Sequence, residues 1–173
     1  LADVVRCFWR FRSDGAEGEP QRIAPDGCAE AIIHLGAPYW ELTRGGEVQQ
    51  PPILFAAQIT QPLVLQARGA TDVFAVRFKP DGARAFLGAA MSAATNRRID
   101  LRLLHRERAA RLLEGLRERR VSNDAFEIVS AYVADVIGGL QRFEPSVRAA
   151  VQELEAARPI APDWAGSERR SQR

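Results

Sequence analysis

The stretch Pro25-Asp26-Gly27-Cys28-Ala29-Glu30-Ala31-Ile32-Ile33-His34-Leu35-Gly36 points to the fold class. Proline presets one backbone dihedral and glycine accepts the positive φ that other residues avoid, so Pro25-Asp26-Gly27 reads as a tight turn. A strand follows it. Alternation then puts Glu30, Ile32 and His34 on one face and Ala31, Ile33 and Leu35 on the other, one face mixed and one wholly apolar.

Working outward, the same grammar repeats. Residues 4–11 and 21–24 read as extended, separated by a Gly- and Glu-rich loop over 13–20. Residues 39–43 and 47–50 flank Arg44-Gly45-Gly46 and predict a hairpin, and 53–58, 63–68 and 72–79 read as further strands. About seven or eight short strands with turns roughly every ten residues favour a barrel or sandwich. In the last of them Phe74, Val76 and Phe78 form an apolar face, while Arg77 interrupts the face of Val73 and Ala75. Such an arginine either pairs with a carboxylate inside a cavity or lies on a solvated face with its stem packed down.

Beyond residue 80 the apolar spacing becomes helical. Pro80-Asp81 starts a short helix over 82–87, and 99–104 leads into a longer one over 105–120 with Leu112, Leu113 and Leu116 facing inward. Asn123 or Asp124 can cap a further helix whose stripe is Phe126, Val129, Val133, Val136, Ile137 and Leu140. That stripe is wide enough for a core helix that also meets a partner subunit. From Pro145 a helix carrying Val147, Val151 and Leu154 is expected, then a turn at Gly166 and a basic helix with Arg169, Arg170 and Arg173, a form that suits a DNA major groove.

Composition bounds the function. With 173 residues and 46% apolar side chains the chain holds one domain and an appendage around a real core. A net charge of +2 against 27% charged residues reflects balanced pairs, so bulk nucleic-acid binding is not indicated. Cys7 and Cys28 are too few and too far apart for a disulfide framework, a zinc site or a CxxC motif, and are expected to be reduced. No apolar run approaches the roughly 20 residues that cross a bilayer, and the first residues lack a signal-peptide pattern. A soluble, cytoplasmic protein with no membrane partner is expected. His34 and His105 are the only histidines, and no nucleophile elbow, phosphate loop or dinucleotide fingerprint is present, so neither an enzyme nor a cofactor is expected.

The order and spacing of Pro25 to Gly36, of Phe55-Ala56-Ala57-Gln58-Ile59-Thr60-Gln61-Pro62 and of Val73-Phe74-Ala75-Val76-Arg77-Phe78-Lys79-Pro80-Asp81-Gly82-Ala83 resemble the N-terminal sensory domain of AraC-type bacterial transcription regulators. The likeness is to the subgroup with a PDG(C) turn, an ELIFHLG-like strand and a VRF(R/K)PGGA-like segment, and residues 145–173 resemble the start of that family's helix-turn-helix domain. The resemblance implies an α+β protein: a cupin-like β-barrel sensor over 1–80, a helical linker and dimerisation part over 81–143, and a partial helix-turn-helix over 144–173. In this chain Asp163-Trp164-Ala165 runs directly into Gly166, which shortens the family's turn by a few residues, and the family's second motif is absent. The partners implied are promoter DNA through a complete C-terminal domain, a small-molecule effector and a second copy of the chain.

Glu30 and His34, on one strand face, are the candidate heart of the effector pocket, with Arg77, Gln58, Phe55, Trp9 and Trp40 as walls and polar anchors. The mixture suits a ligand with an aromatic or apolar body and one polar or anionic end. Each residue also has a plain structural reading: His34 as a satisfied barrel histidine, Glu30 and Arg77 as an internal pair, the tryptophans as core plugs, Cys28 as a small buried apolar residue, and Arg97, Arg98, Arg102, Arg106, Arg108 and Arg111 as a solvated face. A stand-alone small-molecule-binding or dimerisation protein, and more remotely a metal-dependent cupin enzyme, are the alternative functions.

Overall fold

The computed structural model describes residues 1–15, 17–118 and 125–138, together with Ala149, Glu153 and Ala156, which are helical. The chain divides into two units, Leu1–Arg142 and Phe143–Arg173. The expected cap at Asn123 or Asp124, the end of the apolar stripe at Leu140 and the basic residues Arg169, Arg170 and Arg173 lie outside the described residues.

The first unit is α+β, with two antiparallel sheets and a set of helices. Its strands are β1 (Val5–Ser13), β2 (Gln21–Ile23), β3 (Glu30–His34), β4 (Trp40–Thr43), β5 (Gly46–Gln49), β6 (Ile53–Ala56), β7 (Leu63–Gln66), β8 (Thr71–Phe78) and β9 (Arg98–Asp100). One sheet has the order β1-β8-β3-β6-β9 and the other β2-β7-β4-β5. Each sheet therefore mixes strands from distant parts of the sequence.

The expected strands all form, because each is bounded by a turn that its residues can make. Gly27 and Gly46 adopt positive φ at the turns that lead into β3 and β5. Directly opposed residues share a face of an antiparallel sheet. Ala31 opposes Val76 and Phe55, and Ile33 opposes Phe74 and Ile53, so these residues share one face of the larger sheet. That face is the core: Ala31, Ile33, Ile53, Phe55 and Val76 are wholly buried.

The helices are α1 (Pro80–Leu87), α2 (Met91–Ala94), α3 (Leu101–Leu104), α4 (Arg106–Glu118) and α5 (Ala125–Gly138). Phe86 of α1 stacks on Phe55 at 6.0 Å and meets Phe78 at 4.7 Å between ring centroids, and its other neighbours are His105 at 5.1 Å and Tyr132 at 5.9 Å. Burying each of these phenylalanines contributes roughly 1.5–3 kcal/mol. Gly82 lets α1 lie against the start of β1, because a side-chain carbon there would collide with the Val4 carbonyl. The Val4 carbonyl also accepts the Lys79 N–H at 2.8 Å, closing the same junction.

The helical region differs from the sequence reading at three places. Residues 98–100 form an edge strand on β6 rather than the lead into a helix, and Asp100 then caps α3 by accepting the Arg102 N–H at 2.8 Å. The short α2 follows from an alanine-rich run too brief to show helical periodicity. Phe126 is 52% exposed, with its ring edge-on to Phe8 at 4.9 Å, because α5 turns Ala125, Val129, Tyr132, Val133 and Val136 inward instead. Among the described residues no helix is long and apolar enough to cross a membrane.

Candidate functional site

The second face of the larger sheet is chemically mixed. Register places Trp9, Ala75, Ile32 and Leu54 in one row across it, Phe11, Val73 and His34 in the row on one side, and Cys7, Arg77, Glu30, Ala56 and Arg98 in the row on the other. On the smaller sheet Glu41 opposes Val48 and Leu65, Leu65 opposes Gln21, and Leu63, two residues away on the same face, opposes Ile23.

Hydrogen bonds show that these two faces look at each other. The Arg98 guanidinium donates to both oxygens of the Glu41 carboxylate, from Nε at 2.7 Å and from Nη2 at 3.0 Å. Gln50 donates its Nε2 to Glu41 Oε1 at 2.9 Å, and its Oε1 lies 3.1 Å from His34 Nε2. The chain His34–Gln50–Glu41–Arg98 thus runs from one sheet to the other and back. It also fixes the histidine tautomer: Gln50 gives its amino group to Glu41, so its oxygen accepts and His34 Nε2 carries the proton. Burial pushes the His34 pKa down to about 4 against the opposing effect of the Gln50 bond, so the ring is neutral. His34 Nδ1, Arg98 Nη1 and Thr71 Oγ1 are buried without a partner.

A second cluster stands further along the same face. The Glu30 carboxylate accepts the Trp9 indole N–H at 3.0 Å and the Arg77 Nε–H at 2.7 Å on one oxygen, and Arg77 Nη2 reaches Asp26 at 3.0 Å. Burial draws the Arg77 pKa down, but the bond and charge of Glu30, with the charge of Asp26, outweigh it and raise it. Asp26 also accepts the Cys28 N–H at 2.9 Å, which shapes the turn. The Cys28 thiol is pushed up by burial and by the Asp26 charge, which disfavours the thiolate.

Between these clusters the facing apolar side chains are only partly covered. Ala75, Leu54 and Val73 form a sealed floor, yet Phe11 is 46%, Ile23 40% and Val48 59% exposed, and Trp9, Ile32, Leu63 and Leu65 are half-buried. The facing sheets thus leave a partly uncovered apolar surface, the hollow, whose most exposed members stand on the outer strands β1, β2 and β5 and whose sides carry bonded polar groups.

Of the residues singled out from the sequence, Trp9, Glu30 and Arg77 are in direct contact, and His34 shares their face within the cross-sheet chain. Phe55 lies on the opposite face with Phe78 and Phe86. Trp40 lies beneath the Arg68 guanidinium at 5.0 Å, and its neighbour Glu41 is the residue that turns inward. Gln58 follows β6, and its carbonyl accepts the Asn96 N–H. Sequence reasoning misses Glu41, Gln50 and the inward role of Arg98; only Asp26, inside the quoted turn, carries a local signal. No group of three His, Cys, Asp or Glu among the described residues could hold a metal ion.

The helices bear a separate groove of about 510 Å³ between α4 and α5. Leu112, Gly115, Ile128 and Ala131 line its middle, Arg108, Arg111 and Asp135 one end, and Glu118 and Glu127 the other. Asp135 holds both arginines, at 3.2 and 3.1 Å.

A family profile described as a domain of unknown function, DUF6597, matches residues 1–100. The chain belongs to the DUF6597 family. No curated protein and no solved structure matches it. The DUF6597 match takes in all nine strands and both polar clusters, and ends with β9. The hollow is thus a feature of the DUF6597 part of the chain, whereas the α4–α5 groove lies beyond the match.

Proposed function

We propose that this chain is the effector-sensing and dimerisation region of an AraC-type transcription regulator, which holds a small molecule between its two sheets and passes the state of that site to a promoter-binding part. The observation that carries the proposal is the hollow: apolar side chains from both sheets face each other and stay partly uncovered, as a ligand site requires. The strand order supports a cupin-like reading, since β1-β8-β3-β6 against β2-β7-β4-β5 is the order of a double-sheet jelly roll, the architecture to which cupins belong. The motifs around Pro25, Phe55 and Val73 supply the likeness to AraC-type sensors.

A ligand changes DNA affinity only by the difference between its affinities for the competent and incompetent states. A chain of ring contacts supports such coupling. The floor of the hollow is formed by β6 and β8, and the reverse face of the same strands carries Phe55 and Phe78, which meet Phe86 and through it His105 and Tyr132 on the helices. The α4–α5 groove supports a second copy as partner, because its basic end and acidic end would each find the opposite end under a two-fold axis.

The test uses the full gene product and DNA from its own upstream region. Binding measured by fluorescence anisotropy is expected to change several-fold when an effector is present, and Phe86→Ala is expected to abolish that change while effector binding persists. Equal DNA affinity with and without bound effector, or no duplex binding at all, overturns the proposal.

A further inference from the structure

Among the described residues, the strand side chains that face the hollow include two guanidinium groups, and both are charge-paired, although Arg98 Nη1 has no hydrogen-bond partner. Arg77 is held by Glu30 and Asp26, and Arg98 is held by both oxygens of Glu41. The remaining charged residue of that face, Asp100, holds Arg102 at 2.6 Å. His34, the ring between them, is neutral.

An organic anion entering this space would give up its hydration and, among the described residues of this face, meet no cation that lacks a carboxylate partner, which disfavours it. An ammonium group would likewise lose its hydration, and the Glu30 and Glu41 carboxylates it would meet are already paired with Arg77 and Arg98, although Glu30 takes both of its bonds on Oε1. The uncovered surface is of another kind: Trp9, Phe11, Ile32, Ile23, Leu63 and Leu65 offer aromatic and aliphatic area that gains by being covered. Resting on the reading of the hollow as an effector site, we propose that its effector is an uncharged, predominantly apolar compound of aromatic size, neither an organic acid nor an amine.

Three probes with one ring system decide it: naphthylmethanol, naphthylacetate and naphthylmethylammonium, titrated into the chain by calorimetry at neutral pH. The alcohol is expected to bind at least about ten-fold more tightly than either ion. Phe11→Ser is expected to weaken the alcohol by about ten-fold, which places it in the hollow. The double variant Asp26→Asn/Glu30→Gln leaves Arg77 uncompensated, and is expected to raise naphthylacetate affinity about ten-fold while the alcohol changes little. Should that variant fail to fold, Asp26→Asn alone, at a half-exposed position, is expected to shift the preference in the same direction. Acetate or ammonium bound as tightly as the alcohol by the native chain overturns the effector class and leaves the hollow standing as a site. Binding of none of the three overturns the hollow as a site.

Discussion

His34 is held neutral by its position, with Nε2–H on Gln50 and the ring edge-on to Tyr39 at 5.8 Å. The unfolded chain takes up a proton on this ring near pH 6.5, while the folded protein does so only near pH 4. Stability that is complete above pH 6.5 is therefore lost as the pH falls toward 4, on the order of 3 kcal/mol in all. Denaturant unfolding at pH 7.5 and pH 5 should differ by about 2 kcal/mol from this residue. His105, also depressed by burial and then by the Arg108 charge, acts in the same direction. His34→Phe should remove the His34 share of the slope, and an NMR titration of the ring should place its midpoint near 4. Alternation along residues 29–35 is enough to put His34 on the face of Glu30. Its partner is not legible, because Gln50 is 16 residues away and reaches it from beyond the hairpin of the other sheet.

The elements are legible where turn chemistry and periodicity agree. Pro25-Asp26-Gly27 and Arg44-Gly45-Gly46 delimit strands whose alternating side chains match the observed register. The rule fails at β9, since three residues are too few to alternate visibly and Ile99 and Leu101 also fit a helix. It fails again at Phe126, whose inward place is taken by Ala125, although Val129, Val133 and Val136 of the expected stripe are buried. At the junction of α1 and β1, Gly82→Ala should cost about 3 kcal/mol or more, because the clash is with the Val4 backbone and no side-chain rotation relieves it. Thermal unfolding of the variant checks this. Gly27→Ala, where the added carbon meets nothing, should cost less, through backbone strain alone.

On the scale of the whole molecule, the Arg98–Glu41 pair ties the last strand of one sheet to the middle of the other. Glu41 is 8% exposed, so Arg98→Met leaves a buried carboxylate short of its counter-charge and should cost about 3–4 kcal/mol. Replacing both partners, Glu41→Leu with Arg98→Met, should recover much of that loss, and a double-mutant cycle in urea should return a coupling of about 2 kcal/mol. A cycle showing additive losses would mean that the pair is not what joins the sheets. This tie is invisible in the sequence: Arg98 stands in a run of arginines of which Arg102, Arg108 and Arg111 do form surface pairs, and only the closing of one sheet over the other singles it out.

The pairing of β1 with β8 has a consequence for biosynthesis. Val5 finds its strand neighbour at Phe78, 73 residues later. At synthesis rates of about 5–20 residues per second, the first strand waits roughly 4–15 s on the ribosome before its partner exists. Through that interval Phe8, Trp9 and Phe11 are open to any nascent or chaperone surface nearby, and the larger sheet cannot assemble by local zipping. Slow refolding, relieved by holding the first strand away from other chains, follows from the strand order alone.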